Sequence, residues 1–218
     1  MSLILKSIKS SPVPSRVNLI FSDSNYLPLL VDDYIKLSLH KNQEIDDSLL
    51  TQLSQLTYTY LLREYALRQI ALSPKTNKII SNKLALKKNF YLKKYPLLKD
   101  RIDHSQALEK ILFQLEEKNL LDPLSYVDYL IRRFPHKSKF YLISYLQQQG
   151  VPRNTYPDSV FDQLHPQQTI TKYLLKKNFT SKDLSDFNTK NKLIASLLRK
   201  GFSITEVKKA IDEYLNSK

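Results

Sequence analysis

LEEKNLLDPLSYVDYLIRRF, residues 115–134, contains the end of one predicted helix and the start of the next, with a very short joint between them. Asn119 can adopt the left-handed backbone conformation that ends many helices. Asp122 followed by Pro123 is typical of a helix start, because aspartate caps free backbone N–H groups and proline suits the first helical position. This stretch therefore indicates a chain built from short helices.

The same stop signal recurs along the chain. A leucine, two or three polar residues, an Asn or Gly and an apolar residue occur in LKKNF 86–90, LEEKNL 115–120, LQQQGV 146–151, LKKNF 175–179 and LRKGF 198–202. The Asn or Gly predicts helix ends at residues 89, 119, 150, 178 and 201. Their spacings of 30, 31, 28 and 23 residues indicate an internal repeat.

Helix starts are also marked. Ser73-Pro74 and Asp158 are candidate N-caps, and Ser203 with Glu206 forms a capping box, in which each side chain satisfies a free backbone N–H group of the other residue. From Asp46 onward, apolar residues recur at spacings of three or four, as in amphipathic helices. We expect about nine helices after residue 47, grouped three to a unit.

The first 47 residues differ from the rest. RVNLIFSDSNYLPLLV, residues 16–31, predicts two strands around a turn at residues 22–25, and a short helix begins near Asp32. The expected fold is mainly α: three tandem three-helix repeats form an elongated curved molecule, with a small N-terminal β-containing extension. The expected domains are the extension at 1–47 and the repeats at 48–119, 120–164 and 165–218.

Composition excludes several classes of site. The chain has no cysteine, which rules out disulfides and thiolate metal sites, and it has only two glycines, too few for a phosphate-binding loop of the Walker or Rossmann type. Its four histidines lack metal-ligand spacing, and no nucleophile motif occurs. No apolar run is long enough to cross a bilayer. We therefore expect a cytoplasmic binding protein, not an enzyme, without cofactor or metal.

The net charge of +13 is concentrated in two segments. Residues 75–101 contain nine basic residues and one acid, and residues 172–200 contain eight basic residues and two acids, whereas residues 1–60 are nearly neutral. Such clustering is typical of proteins that bind polyanions, although a generally lysine-rich composition is the simpler alternative. The candidate residues for binding a partner or nucleic acid are Lys83, Lys87, Lys88, Lys93, Lys94, Arg132, Arg133, Lys137, Lys139, Lys176, Lys177, Arg199 and Lys200.

The helix predicted to begin at Pro123 has two different faces. Its predicted buried stripe consists of Leu124, Val127, Leu130, Ile131 and Phe134. Tyr126 and Tyr129 lie on another face with Arg132 and Arg133, where they could stack on bases and bind phosphates. The alternative places both tyrosines in the core and the arginines in solvent. We favour the core for the tyrosines, and the arginines remain open between the two interpretations.

The run LLDPLSYVDYLIRRFPHKSKFYLISYLQQQGV, residues 120–151, resembles the second repeat of the RecX family. That pattern has Leu-Asp-Asp, an aromatic residue, a hydrophobic–Arg pair, a basic loop and a helix that ends in Gly and an aliphatic residue. The positions that match it are Leu121, Asp122, Tyr126, Ile131, Arg132, Leu142, Leu146, Gly150 and Val151. The C-terminal KLIASLLRKGFSITEVKKAI is similar to the last repeat of the family, and residues 60–90 fit the first.

The resemblance implies a regulator, usually an inhibitor, of RecA recombinase that binds the RecA–DNA filament in its groove, in DNA repair, homologous recombination and the SOS response. It also implies no catalytic activity and no cofactor. We expect a monomer whose partners are RecA and the filament, with weak direct DNA binding also possible on charge grounds. The alternatives are a general helical-repeat nucleic-acid binder that does not need RecA, and a protein–protein adaptor whose lysines only solubilise it.

Three positions depart from the family pattern. Pro123 stands where the second Asp is usual, and Ser138 stands where the basic loop usually has glycine. Phe140-Tyr141 replaces the basic start of the next helix, which dilutes positive charge there. These departures leave the expected fold unchanged but put individual contact residues in doubt.

Overall fold

The computed structural model describes residues 3–216, and the chain divides into two compact units that meet at the bond between Leu121 and Asp122. Within the described residues there are ten α-helices and four strands, so the expected mainly α class with an N-terminal β-containing extension is confirmed. Nine of these helices follow residue 47, as predicted. The finer division into three repeats with the boundaries given above stays a prediction.

The sheet of the first unit consists of four antiparallel strands in the order β3-β2-β1-β4. Their bounds are Leu3–Ser10 (β1), Arg16–Phe21 (β2), Tyr26–Leu30 (β3) and Glu44–Ile45 (β4), and helix α1 covers Val31–Lys36. The predicted hairpin is β2–β3, in which Val17 faces Leu29 and Leu19 faces Leu27. Strand β1 was not predicted, although it occupies an interior position between β2 and β4.

Three longer helices complete the first unit: α2 (Asp47–Leu72), α3 (Asn77–Lys94) and α4 (His104–Glu117). The sheet packs on α2, where the Thr57 hydroxyl donates to the carbonyl of Pro28 at 2.9 Å. The core includes fully buried side chains from the sheet and the three helices, among them Phe21, Leu53, Tyr58, Ile80 and Ile111. The extension and the first helices therefore share one hydrophobic core.

Two predicted signals in the first unit are wrong. Ser73-Pro74 does not start a helix: α3 begins at Asn77, and the Thr76 side chain caps it by accepting from the Ile79 N–H. Asn89 does not end one, because α3 continues to Lys94. The continuation buries Tyr91, whose hydroxyl donates to the carbonyl of Leu61 on α2 at 3.1 Å, so packing overrides the local stop signal.

The second unit contains six α-helices: α5 (Pro123–Arg133), α6 (Lys139–Gln148), α7 (Pro166–Lys176), α8 (Ser181–Ser185), α9 (Phe187–Arg199) and α10 (Ile204–Asn216). Two 3-10 turns, Arg153–Thr155 and Asp158–Phe161, lie between α6 and α7. Helices α7 to α10 share a core that includes Ile170, Leu174, Leu184, Leu193 and Ile211, with Leu184 contributed by the short helix α8. The grouping of the helices into units of three stays a prediction.

Most of the other predicted helix ends and starts are confirmed. Positive φ angles occur at Asn119, Gly150, Asn178 and Gly201. Asp122 accepts from the backbone N–H groups at positions 124 and 125, and Ser203 and Glu206 form the reciprocal bonds of the capping box at 3.2 and 2.7 Å. The prediction that Asp158 is an N-cap is wrong, because this residue begins a 3-10 turn and caps no α-helix.

The predicted buried stripe of α5 is confirmed in its central part. Val127, Leu130 and Ile131 are buried and Phe134 is half-buried, but Leu124 is 48% exposed and lies outside the core. Leu124 is the second residue of the helix, in its first turn after the Asp122 cap. Tyr126 is 4% exposed, which confirms the preferred core interpretation for this tyrosine.

Candidate functional site

The predicted basic residues lie in both units. In the first unit all of them are on α3, which has six lysines and no acid between Asn77 and Lys94. Lys93 and Lys94 are exposed, while Lys83, Lys87 and Lys88 are half-buried. In the second unit Arg132, Arg133, Lys137, Lys139, Lys176, Lys177, Arg199 and Lys200 are all exposed.

Aromatic side chains hold part of the α3 group in place. The Lys87 ammonium lies 4.9 Å from the ring centre of Tyr65 and 4.4 Å from that of Phe90. The Lys94 ammonium lies 5.4 Å from the ring centre of Tyr95. Such contacts stabilise a cation at a fixed position while its charge stays available to an anion in solution. Two of the α3 lysines, Lys87 and Lys94, are therefore held in position by rings.

In the second unit, residues far apart in sequence come together through Ser138. Its hydroxyl donates to the carbonyl of Lys200 at 2.8 Å and accepts from the Tyr141 N–H at 3.1 Å, so one side chain caps α6 and also ties it to the end of α9. Ser138 is 2% exposed. The bond to Lys200 brings the chain between Lys137 and Lys139 next to the chain at Arg199 and Lys200. We call these four residues the basic junction.

A glycine makes this approach possible. Gly201 has a φ of +83°, and a Cβ there would lie 2.6 Å from the Ser138 hydroxyl oxygen and 3.3 Å from Cδ1 of Phe140. No side chain larger than hydrogen fits without displacing a neighbour. The stop signal at the end of α9 thus has a second role, since it allows the start of α6 to pack against the α9–α10 joint.

Lys200 of the basic junction contacts a tyrosine on a neighbouring helix. The Lys200 ammonium lies 3.8 Å from the ring centre of Tyr173 on α7. Burial would raise the pKa of the Tyr173 hydroxyl, but a hydrogen bond with Ser196 and the positive charge of Lys200 together lower it from its ordinary value. The charge of Lys177 acts in the same direction, which shows that the end of α7 lies within electrostatic reach of the same tyrosine.

Lys139 is the one member of the junction with an ion pair in the described part of the chain. Its ammonium lies 3.2 Å from the carboxylate of Asp158, which also pairs with Arg153. The exposed fractions of these side chains are large, so the pair is worth little in stability. Its main effect is to reduce the local positive charge at the start of α6.

Arg133 and Lys137 lie at the two ends of a series of aromatic contacts along α5 and α6. Arg133 lies over Phe134, whose ring centre is 6.3 Å from that of Tyr145. Tyr145 stacks on Tyr141 with an interplanar angle of 13°, and the Lys137 ammonium lies 4.4 Å from the Tyr141 ring centre. Interleaved cations and rings of this kind suit single-stranded nucleic acid.

The two arginines of α5 have different surroundings. Arg133 donates to the hydroxyl of Tyr129, which is half-buried. Arg132 donates to the carbonyl of Asp128 at 3.3 Å within its own helix. Tyr129 is thus tied to an arginine and only partly buried, whereas Tyr126 belongs to the core.

Sequence reasoning did not assign a role to Ser138, Phe140, Tyr141 or Tyr145. In PHKSKFY, residues 135–141, two lysines are followed directly by two aromatic residues, and this order could have indicated Phe140 and Tyr141. No local signal could have indicated Ser138, because its partner is 62 residues away in the chain.

Between residues 3 and 216, no group of three or more acidic or histidine side chains could hold a metal ion. The helices of this same range include none with the length and apolar character needed to cross a membrane.

Comparison with known proteins gives concordant results. The family model for the third three-helix domain of RecX matches residues 166–211. The regulatory protein RecX of Finegoldia magna is 24% identical over 193 residues, which cover 85% of this chain and 87% of that protein. The match to the third-domain model lies within the α7–α10 region whose core is described above.

Two solved structures share the fold. A crystal structure of a regulatory protein RecX superposes with a TM-score of 0.62 at 18% identity and covers 100% of both chains. The crystal structure of RecX from Lactobacillus salivarius has a TM-score of 0.52 at 17% identity, with 72% of this chain and 96% of that one covered. The domain model, the relative and the fold agree with the repeat signatures in the sequence, so this chain is similar to RecX proteins along most of its length.

Proposed function

We propose that this protein regulates RecA recombinase as an inhibitor, by binding the RecA–DNA filament through basic surfaces of its helical repeats. Similarity to the third three-helix domain of RecX and to a regulatory protein RecX supports the regulatory role. The observation that supports the mode of binding is the Ser138–Lys200 contact, which brings the chain between Lys137 and Lys139 next to the chain at Lys200, and all four residues of the basic junction are exposed. A filament presents both DNA phosphates and acidic protein groups, and such a surface attracts either.

The test is RecA-dependent ATP hydrolysis on single-stranded DNA, with and without this protein. We expect substoichiometric protein to slow hydrolysis, and the effect to weaken as salt increases, because counterions compete for the same charges. Full activity of the cognate RecA at low salt in the presence of excess protein would contradict the proposal.

Charge-reversal variants test whether the basic junction is the surface that binds the filament. The double variant K137E/R199E should inhibit RecA much less than the wild type. The matched control is K172E/K208E, which makes the same change in net charge at two exposed lysines of the second unit outside the basic junction. Equal loss of inhibition in both variants would show that net charge alone matters and would refute the assignment of the junction.

A second candidate function is direct binding of single-stranded nucleic acid without RecA. The series of rings and cations from Arg133 to Lys137 favours it. On this alternative, fluorescence anisotropy detects binding of an oligonucleotide at low salt, and charge reversal at Lys87, Lys88, Lys93 and Lys94 reduces it. An adaptor whose lysines serve only solubility would show no such binding. We further propose that the protein is cytoplasmic and monomeric. Light scattering of the purified protein tests the monomeric state.

A further inference from the structure

An open groove of about 440 Å³ lies within the second unit, between the start of α6 and the α9–α10 joint. Ile143, Leu198 and Phe202 give it an apolar lining, and it is completed by Lys139, Phe140, Gly201, Ser203 and Glu206. Its volume is within the range of small-ligand sites, about 300–1,000 Å³. The groove is thus large enough for a flat ring system.

Phe140 lines this groove, and most of its ring is exposed to solvent. The side chain is 69% exposed, although burial of such a ring would stabilise the fold. Its neighbour Tyr141 is already stacked on Tyr145 and has the Lys137 ammonium over its ring. Among the residues described here, no other ring stacks on Phe140 and no cation lies over it. A free aromatic face at a concave apolar site is a stacking platform.

Basic residues lie close to the groove along the chain. Lys139 lines it, and the exposed Arg199 and Lys200 stand in sequence between two of its lining residues, Leu198 and Gly201. The exposed Lys137 precedes Lys139 by two positions. The carboxylate of Glu206 lies in the lining, but it accepts from the Ser203 N–H at 2.7 Å as part of the capping box. Its charge is therefore directed at the helix start, where the helix dipole favours it. The excess charge at the rim suits phosphate groups.

We propose that an unpaired base of single-stranded nucleic acid inserts into this groove and stacks on Phe140, while Lys137 and Arg199 bind the adjoining phosphates. An apolar side chain of a protein partner would also fill the cavity, but it would gain nothing from the surrounding cations. A base on a phosphate backbone uses both the ring and the charges. This inference rests on the nucleic-acid contact included in the proposed function and names the ligand of the basic junction.

The experiment measures binding of the full chain to a fluorescein-labelled oligothymidylate by anisotropy. We expect F140A to bind about tenfold more weakly, the size typical of losing one stacked base. F140W should bind as tightly as wild type because it restores a ring. The matched control is F187A, since Phe187 is 76% exposed in the same unit but lies outside the groove, and this variant should bind normally.

Two further readouts separate stacking from charge. The salt dependence of F140A should equal that of wild type, whereas K137E/R199E should have a shallower salt slope because fewer counterions are released. An oligonucleotide of abasic sites should bind wild type about tenfold more weakly than oligothymidylate, and this preference should vanish in F140A. A 2-aminopurine base in the oligonucleotide should be quenched by wild type and not by F140A.

Equal oligonucleotide binding by F140A and wild type would overturn the inference, and so would equally tight binding of the abasic strand. Loss of RecA inhibition in F140A with unchanged oligonucleotide binding would assign the groove to a protein side chain instead. Absence of any effect of the wild-type protein on RecA, together with Phe140-dependent base binding, would refute the proposed function and leave the groove assignment standing.

Discussion

Replacing Gly201 by alanine is the sharpest test of how the second unit is held together. The new Cβ would lie 2.6 Å from the Ser138 hydroxyl oxygen, closer than such atoms approach in proteins. The hydroxyl must then move, and it cannot move without losing its bonds to the carbonyl of Lys200 and to the N–H of Tyr141. The substitution therefore acts on the contact between α6 and α9, beyond its local effect on the turn.

The expected cost has two parts. A non-glycine residue with a φ near +83° is strained by about 1–2 kcal/mol. Each of the two hydrogen bonds of Ser138 contributes about 1 kcal/mol, so their loss adds about 2 kcal/mol. G201A should thus lower the free energy of unfolding by about 3–4 kcal/mol.

Gly150 provides the matched control. Its φ of +82° is nearly the same, and the residue is exposed at the end of α6. G150A should therefore show only the backbone strain, about 1–2 kcal/mol. Urea unfolding followed by circular dichroism measures both variants, with stability taken from the midpoint and slope.

The S138A variant separates the steric clash between position 201 and Ser138 from the backbone strain. In S138A the hydroxyl is absent, so adding G201A should cost only about as much as G150A does in the wild type. Equal destabilisation by G201A and G150A in the wild-type background would refute the reasoning, because it would show that the close approach to Ser138 carries no energy.

Other perturbations test single contacts. D122A removes the cap of α5 and should cost about 1 kcal/mol in urea unfolding; no loss would mean that the cap is redundant. Burial, aided by the charge of Lys88, lowers the pKa of His104 below its ordinary 6.5, so the unfolded chain binds this proton more readily. Stability should be full above pH 6.5 and fall below it, and a flat urea midpoint from pH 8 to pH 5 would contradict this. D158N frees Lys139 and should tighten oligonucleotide binding about twofold to threefold, with a steeper salt slope; unchanged anisotropy titrations would exclude it.

Helix ends in this chain could be predicted wherever the signal and its effect are local. Asn119, Gly150, Asn178 and Gly201 all adopt the left-handed conformation, because each needs only its own backbone freedom and an apolar residue after it. Asn89 has the same surroundings in sequence but lies inside α3. There a tertiary contact outweighs the stop signal, and no sequence pattern encodes its distant partner.

The candidate site was predictable in composition but not in arrangement. Counting charges identified the basic residues of α6 and α9, yet their proximity depends on the Ser138–Lys200 bond across 62 residues. Strand β1 was missed for a similar reason, since its sequence LILKSIKS mixes lysines with apolar residues and becomes a strand through pairing on both sides. Long-range pairing decides both cases.

The departures from the RecX pattern at Ser138 and Phe140-Tyr141 depend on one another. A glycine at position 138 could neither cap α6 nor donate to Lys200, and α6 would then lose its tie to the α9–α10 joint. That tie holds Phe140 against Gly201 at the groove, with Tyr141 stacked on Tyr145 behind it. The exchange of basic residues for two rings thus removes charge at the start of α6 but supplies a rigid aromatic surface between the cations that remain. A surface of this kind can discriminate between a bare phosphate chain and one that carries bases, which a purely basic helix cannot do.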